Sequence, residues 1–236
     1  MSWWVHTAWE QGGAVYLVSW IFWVLFAITL HELAHGWAAL WEGDTTPRDL
    51  NRLTANPIVQ MGQTSLIVFA LIGFAWGMMP VRPDRFRHGR LGEALVAFAG
   101  PAMNLVLASG SLTVCGILFA TVDMSTQWTR SVGVFLLLGG FLNVILFALN
   151  LLPVPPLDGS RIVAAASMEA RRLYMQPQAQ IVAFALLMMI FFFGAADFVF
   201  VGAIKAADWW IVQVASLLGE NPPISPFRHL LGSEGL

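Results

Sequence analysis

Long runs of apolar residues, separated by short polar stretches, dominate the chain from residue 14 onwards. A membrane-spanning helix needs about 20 mostly apolar residues. The pattern therefore predicts four clear spans, at 14–40, 91–121, 131–152 and 179–204. Residues 206–219 are apolar but too short for a clear span, and we expect them to lie at the membrane interface. The fold class expected is an all-α polytopic membrane protein with about four to six transmembrane helices.

The apolar stretch at 57–79 does not fit this pattern. Four polar side chains interrupt its start: Gln60, Gln63, Thr64 and Ser65. The uninterrupted part, 66–79, has the length of a re-entrant or interfacial segment and not of a full crossing. We therefore expect 57–79 to be a re-entrant or short segment, and a small β element could form near 77–86.

The composition agrees with a membrane protein and excludes several other classes. The 236 residues are 58% hydrophobic and 11% charged, whereas soluble domains average about 25% charged residues. The net charge of −2 offers no electrostatic basis for binding nucleic acid. The single cysteine, Cys115, excludes both a disulfide framework and a cysteine-based zinc site.

The distribution of arginine indicates which loops face the cytoplasm. If 57–79 does not cross, nine arginines lie on one side, in 41–90 and 153–178, against three basic residues on the other. If 57–79 crosses, the split is seven to five. Because cytoplasmic loops carry an excess of Lys and Arg, the first arrangement is preferred. It places the N-terminus outside and both arginine-rich loops in the cytoplasm.

A polar trio, His31, Glu32 and His35, interrupts the first apolar run near its end. Residues four apart share a helix face, so His31 and His35 can present two imidazole nitrogens to one ion. Glu32 lies about 100° round the helix, where it can reach a metal-bound water without being a ligand. This is the H-E-x-x-H arrangement of zinc metallopeptidases. The alternative is that the trio packs against polar partners without a metal.

A second polar group follows the third predicted span, in ALNLLPVPPLDGSRIV (148–163). Its prolines end the helix, and non-helical backbone at membrane depth must be satisfied by protein or by a water-filled cavity. Asp158 comes directly after the prolines. A catalytic zinc usually has three protein ligands, and the remaining histidines lie in loops or tails, so a carboxylate is the natural third ligand. The alternative is that Asp158 only caps the following helix.

Three motifs in this chain resemble those of the site-2 protease family of intramembrane zinc metalloproteases. They are His31-Glu32-x-x-His35, Gly100-Pro101-x-x-Asn104 and Asn150-x-x-Pro153-x-Pro155-Pro156-Leu157-Asp158-Gly159. The resemblance covers residues 31–163 and is to short bacterial members without added soluble domains. It implies that His31, His35 and Asp158 bind one Zn²⁺ ion, that Glu32 is the general base and that Asn150 helps to stabilise the oxyanion. Gly100 and Asn104 resemble a helix-packing motif.

A shared zinc ion gives an independent check on topology. His31 and His35 lie near the end of their span, so Asp158 reaches the same ion only if the 131–152 span ends on that side. The segment 57–79 must then begin and end on one side, as the arginine count also indicates.

The resemblance implies an endopeptidase that cleaves within or near a transmembrane helix of a membrane-anchored substrate. It implies an integral protein of the bacterial cytoplasmic membrane, with its active site towards the cytoplasm and no oligomeric state specified. We expect a single core at 1–205, followed by an interfacial segment and tail at 206–236. The alternative function is a non-catalytic membrane binding protein of the same fold. A metal transporter would need a polar path through several spans, whereas the polar groups here lie at one depth.

Overall fold

The computed structural model of the chain describes residues 3–192, 197–223 and 225–231, and these residues form helices and no strand. Four helices are long and apolar enough to cross a membrane, which confirms the predicted fold class: α1 (Trp4–Trp41), α4 (Gly89–Thr121), α5 (Gln127–Asn150) and α9 (Asp197–Leu217). The shorter helices are α2 (Thr46–Asp49), α3 (Pro57–Ile72), α6 (Asp158–Ala166), α7 (Met168–Tyr174), α8 (Pro177–Phe192) and α10 (Pro226–Leu231).

Helix α4 lies at the centre of the molecule, in contact with α1, α5, α6 and α9. Small residues let these helices approach closely, as is common between membrane helices. A Cβ at Gly140 of α5 would come closer than 3.0 Å to Leu112 of α4, and one at Gly139 would meet Trp23 of α1 equally closely. This close packing brings the polar residues of α1, α4 and α5 together.

The segment 57–79 forms a hairpin whose two ends lie side by side. Helix α3 breaks at Gly62 (φ 76°) and ends at Gly73, which adopts the left-handed conformation. The chain then returns without regular secondary structure, and the Met78 amide donates to the Gln60 carbonyl (3.1 Å). Ser65 Oγ also accepts from the Trp76 amide (2.9 Å) and donates to its carbonyl (2.7 Å). The expected short, non-crossing segment is therefore confirmed.

The small β element expected near 77–86 is wrong for the described residues. Pro80 and Pro83 lack the N–H groups that a strand ladder needs, and the second of them starts a 3₁₀ turn, Pro83–Arg85. The Arg82 amide is bonded to the carboxylate of Asp44 (2.6 Å) and not to a neighbouring strand. The segment is anchored by side chains.

The C-terminal helices differ from the predicted span at 179–204. Residues 193–196 of that span lie outside the described residues; α8 precedes them and α9 follows. Helix α9 runs on to Leu217 without a break, and the interfacial placement of 206–219 stays a prediction. Its buried residues recur every fourth position: Ala203, Ala207, Ile211 and Ala215. This periodic face of three alanines and one isoleucine, which hydropathy alone does not detect, packs α9 against α4 and α5. The predicted boundary at residue 205 falls inside α9, and the division into core and tail stays a prediction.

Candidate metal centre

Three buried side chains that can ligate a metal converge between α1 and α6. His31 and His35 lie one turn apart on α1, and Asp158 is the first residue of α6. The Nε2 atoms of His31 and His35 are 3.0 Å apart, and they lie 3.0 and 3.3 Å from Asp158 Oδ2. The structure therefore brings together the three residues that the sequence predicts as ligands.

The donor set and its spacing fit a zinc ion. Zinc binds imidazole nitrogen and carboxylate oxygen at about 2.0–2.2 Å, so ligand atoms in a tetrahedral site are about 3.3 Å apart. The three distances here are close to that value. The other ring nitrogen of His35, Nδ1, donates to the Val96 carbonyl (2.7 Å), because a carbonyl can only accept. In the neutral ring this bond leaves Nε2 as the unprotonated nitrogen, and Nε2 is the atom that faces the cluster, as a ligand atom must.

Gly100 of α4 forms the wall of this cluster. A Cβ at this position would come closer than 3.0 Å to the Nε2 atoms of both His31 and His35. The residue was predicted as a helix-packing position, and it does allow α4 to approach α1. Its lack of a side chain also keeps open the space beside these two Nε2 atoms.

Glu32 lies beside the cluster and is buried, with 7% of its surface exposed. Within the part of the chain that is described, its carboxylate makes no hydrogen bond. The segment after α3 passes directly against it at Gly77. Sequence reasoning missed Gly77, because a single glycine in an apolar run carries no signal of what it faces.

The loop that carries Asp158 is held at both ends. Asp158 directly precedes Gly159, where a Cβ would come closer than 3.0 Å to the carbonyl oxygens of Leu151 and Leu152. On the other side, the Tyr174 hydroxyl donates to the Pro153 carbonyl (2.8 Å). The proline-containing segment thus closes tightly on itself and fixes the start of α6.

Asn150, the predicted oxyanion residue, makes no hydrogen bond to the cluster within the described part of the chain. It is half-buried in the last turn of α5, where its Nδ2 donates to the Leu146 carbonyl (2.9 Å). An asparagine amide carries two N–H donors, so one of them is used in this bond.

Two other asparagines, Asn104 and Asn143, are fully buried (0% exposed) close to His31. Asn104 Oδ1 lies 2.6 Å from His31 Nδ1, and Asn104 Nδ2 donates to Asn143 Oδ1 (2.9 Å). Asn104 was expected only to pack helices, and Asn143 was not singled out. The feature of the sequence that could have identified Asn143 is its position as a polar residue within an apolar span, seven residues before Asn150.

Two buried carboxylates at the end of α1 anchor the segment that passes Glu32. Glu42 accepts hydrogen bonds from the backbone amide and ring of His88 (both 3.0 Å), which lower the pKa of Glu42 below its ordinary value. Asp44 accepts from the Arg82 amide and from Thr46. These bonds join the end of α1 to residues 82–88.

The chain is similar in sequence to one peptidase family and to several proteins named as zinc metalloproteases. Residues 110–194, which include Asn150 and Asp158, match Peptidase family M50. The chain is 37% identical over 142 residues to "Putative zinc metalloprotease YwhC" of Bacillus subtilis, covering 59% of this chain and 65% of that protein. It is 34% identical over 142 residues to "Putative zinc metalloprotease Rip2" of Mycolicibacterium smegmatis, covering 57% and 52%.

The Rip2 protein of Mycobacterium tuberculosis is 31% identical over 141 residues, again covering 57% of this chain and 52% of that protein. The aligned part of the chain thus spans less than two thirds of the length of each of these relatives. No solved structure matches the chain.

Proposed function

We propose that this chain, whose residues 110–194 match Peptidase family M50, is a zinc-dependent intramembrane endopeptidase of the site-2 protease type. It hydrolyses a peptide bond within or near a transmembrane helix of a membrane-anchored substrate. The observation that carries this proposal is the convergence of His31, His35 and Asp158, beside the unbonded carboxylate of Glu32, among helices apolar enough to span a membrane.

In this proposal His31, His35 and Asp158 hold one zinc ion. Zinc at this position would supply Lewis-acid activation of a water molecule and of the scissile carbonyl. Glu32 accepts the proton of the attacking water and delivers it to the leaving amine, the general acid–base role that its unbonded carboxylate permits. The surrounding helices exclude bulk water, which strengthens every electrostatic interaction inside the site.

Asn150 is proposed to stabilise the oxyanion with its remaining N–H donor. A preorganised donor in a dry site is worth more than the same donor in water. The bond from its Nδ2 to the Leu146 carbonyl supports this role, because it holds the amide in one orientation at the end of α5.

The substrate is proposed to bind as an extended strand against the segment 73–82. A substrate helix must unwind locally before attack, since its peptide bonds are already hydrogen-bonded within the helix. A segment that passes Glu32 at Gly77 can offer backbone groups to the unwound chain, as in β-augmentation. Val81→Pro, or Met79→Pro two residues before it, should reduce cleavage if this pairing exists, and unchanged cleavage by both variants would contradict it.

We place the active site towards the cytoplasmic side of a bacterial cytoplasmic membrane. Glu42 at the end of α1 contacts His88 before α4, and Arg171 of α7 contacts Glu93 in the first turns of α4. The two arginine-rich loops therefore meet at one end of the bundle, where the positive-inside rule favours the cytoplasm. His35 lies about 9 Å from the end of α1, at 1.5 Å per residue.

The experiment that tests the function measures zinc and cleavage on the same purified protein. Wild type should contain about one zinc per chain, Asp158→Ala should lose it, and Glu32→Gln should keep it while losing cleavage of a helical membrane substrate. Zinc-free, well-folded wild type would contradict the proposal and favour the non-catalytic binding protein. Unchanged cleavage by Glu32→Gln would remove Glu32 from the role of general base.

A further inference from the structure

Asn104 and Asn143 form a chain of buried amides that begins at His31 and ends on the backbone of α5. Burying an amide without hydrogen bonds is unfavourable, so two fully buried asparagines in apolar helices need partners. Here each amide makes hydrogen bonds on both sides: His31 to Asn104, Asn104 to Asn143, and Asn143 Nδ2 to the Gly139 carbonyl (2.8 Å).

The Gly139 carbonyl determines which group is donor and which is acceptor in each of these hydrogen bonds. The Gly139 carbonyl can only accept, so the atom of Asn143 that faces it is the NH₂ group. Asn143 Oδ1 is then the atom that faces Asn104, and it accepts from Asn104 Nδ2 (2.9 Å). Asn104 Oδ1 is left facing His31 Nδ1 (2.6 Å), and because this oxygen can only accept, His31 must donate from Nδ1.

We propose that Asn104 and Asn143 are positioning residues that fix the tautomer of His31, keeping its Nε2 unprotonated and aimed at the metal. This inference rests on the proposed zinc site and extends it to α5, whose Asn143 does not touch the histidine. His35 obtains the same tautomer directly from the Val96 carbonyl. The two histidines therefore obtain the same tautomer from different hydrogen-bond partners.

The effect of removing Asn143 follows from the shape of an amide, whose oxygen and NH₂ group exchange places when the side chain rotates by 180°. Without Asn143, the Asn104 side chain can rotate by 180° and present NH₂ to His31 Nδ1. His31 Nδ1 then becomes the acceptor, and the proton moves to Nε2, where it blocks metal binding. Partners of this kind typically change metal affinity by about 10–100-fold when they are mutated.

The first test uses zinc-free wild-type protein labelled with ¹⁵N-histidine. NMR reports which ring nitrogen carries a proton, and the His31 signals are assigned by their loss in His31→Ala. We expect the His31 Nδ1 to be protonated. A bare Nδ1 with a proton on Nε2 would overturn the proposal, and this measurement needs no variant of the asparagines to fold.

The second test compares zinc affinity by competition with a chelator in Asn143→Leu and Ser111→Ala. Ser111 is the matched control, because its hydroxyl also joins α4 to α5, by donating to the Leu136 carbonyl (2.7 Å), but lies outside the amide chain. Asn143→Leu should weaken zinc binding about 10-fold or more, and Ser111→Ala should leave it unchanged. Equal affinities in wild type and Asn143→Leu, or equal losses in both variants, would overturn the proposal. If wild type binds no zinc, the proposed function fails, while the NMR result still decides the tautomer.

Discussion

Gly77 lies directly against the carboxylate of Glu32. A Cβ at Gly77 would come closer than 3.0 Å to the Glu32 side chain, a separation that real Cβ atoms essentially never show. The segment that follows α3 and the general base proposed on α1 are therefore in contact at a position where any larger residue would displace the Glu32 side chain.

Replacing Gly77 with alanine should displace the Glu32 carboxylate and reduce kcat/KM for a helical substrate. A shift of about 1 Å in a reacting group can lower the rate about 100-fold, and we expect a loss of that size. Zinc content should not change, because the ligands are untouched. The control is Gly202→Ala on α9, where an added Cβ has nothing within 4 Å and cleavage should not change. Normal cleavage by Gly77→Ala would show that the contact has no part in catalysis.

Replacing Gly100 with alanine should remove zinc. The added methyl group would lie against the Nε2 atoms of His31 and His35, in the space that the metal needs. We expect the zinc content to fall from about one per chain to near zero, measured by elemental analysis of purified protein. Gly110→Ala in the same helix has nothing within 4 Å of its new Cβ and should retain the metal. A zinc-replete Gly100→Ala would contradict the placement of the site.

Replacing Asp44 with alanine should destabilise the protein. The buried carboxylate accepts from the amides of Arg82 and Thr46, at 2.6 and 3.0 Å, and both donors would lose their partner. An unsatisfied buried donor costs about 1–3 kcal/mol, so the midpoint of thermal unfolding in detergent should fall. Cleavage should fall too, because Arg82 anchors the segment that carries Gly77.

The control for Asp44 is Asp84→Ala. Asp84 is exposed and pairs with the Arg82 side chain (3.0 Å), whereas Asp44 holds the Arg82 backbone. We expect no measurable change in the unfolding midpoint, since exposed ion pairs contribute little. Equal midpoints for the two variants would refute the anchoring role of Asp44.

The stability contributed by Glu42 should depend on pH. Hydrogen bonds from His88 hold the pKa of Glu42 below its ordinary value of 4.5, so the folded state favours the carboxylate. A lowered pKa in the folded protein means that the stabilisation is present above about pH 4.5 and is lost as the pH falls through the folded value. Wild type should therefore unfold at a higher temperature than Glu42→Gln at pH 7.

This difference in unfolding temperature should shrink on acidification below about pH 4.5. The exposed Glu220 supplies the control, because Glu220→Gln removes the same charge without breaking a hydrogen bond of Glu42. A difference between wild type and Glu42→Gln that stays constant down to the lowest pH would contradict the assignment to this carboxylate.

The amino-acid sequence by itself determined the fold class, the short segment at 57–79 and which three potential metal ligands converge between α1 and α6. Each of these follows from a local or strongly constrained property. Spans follow from apolar length, His31 and His35 share a face because a helix repeats every 3.6 residues, and Asp158 follows prolines that must end a helix. The extent of α9 was missed, since hydropathy does not show that Ala203 and Ala207 face another helix.

Only the tertiary structure decided what surrounds the ligands. The place of Gly100 against the two imidazoles, of Gly77 against Glu32, and of Asn143 behind Asn104 depends on contacts between residues far apart in the chain. Such contacts are set by how closely α1, α4 and α5 pack, and that distance is a property of all their interface residues together. A glycine therefore looks the same in the sequence whether it faces lipid or a functional side chain. An asparagine looks the same whether it only joins two helices or also orients a histidine.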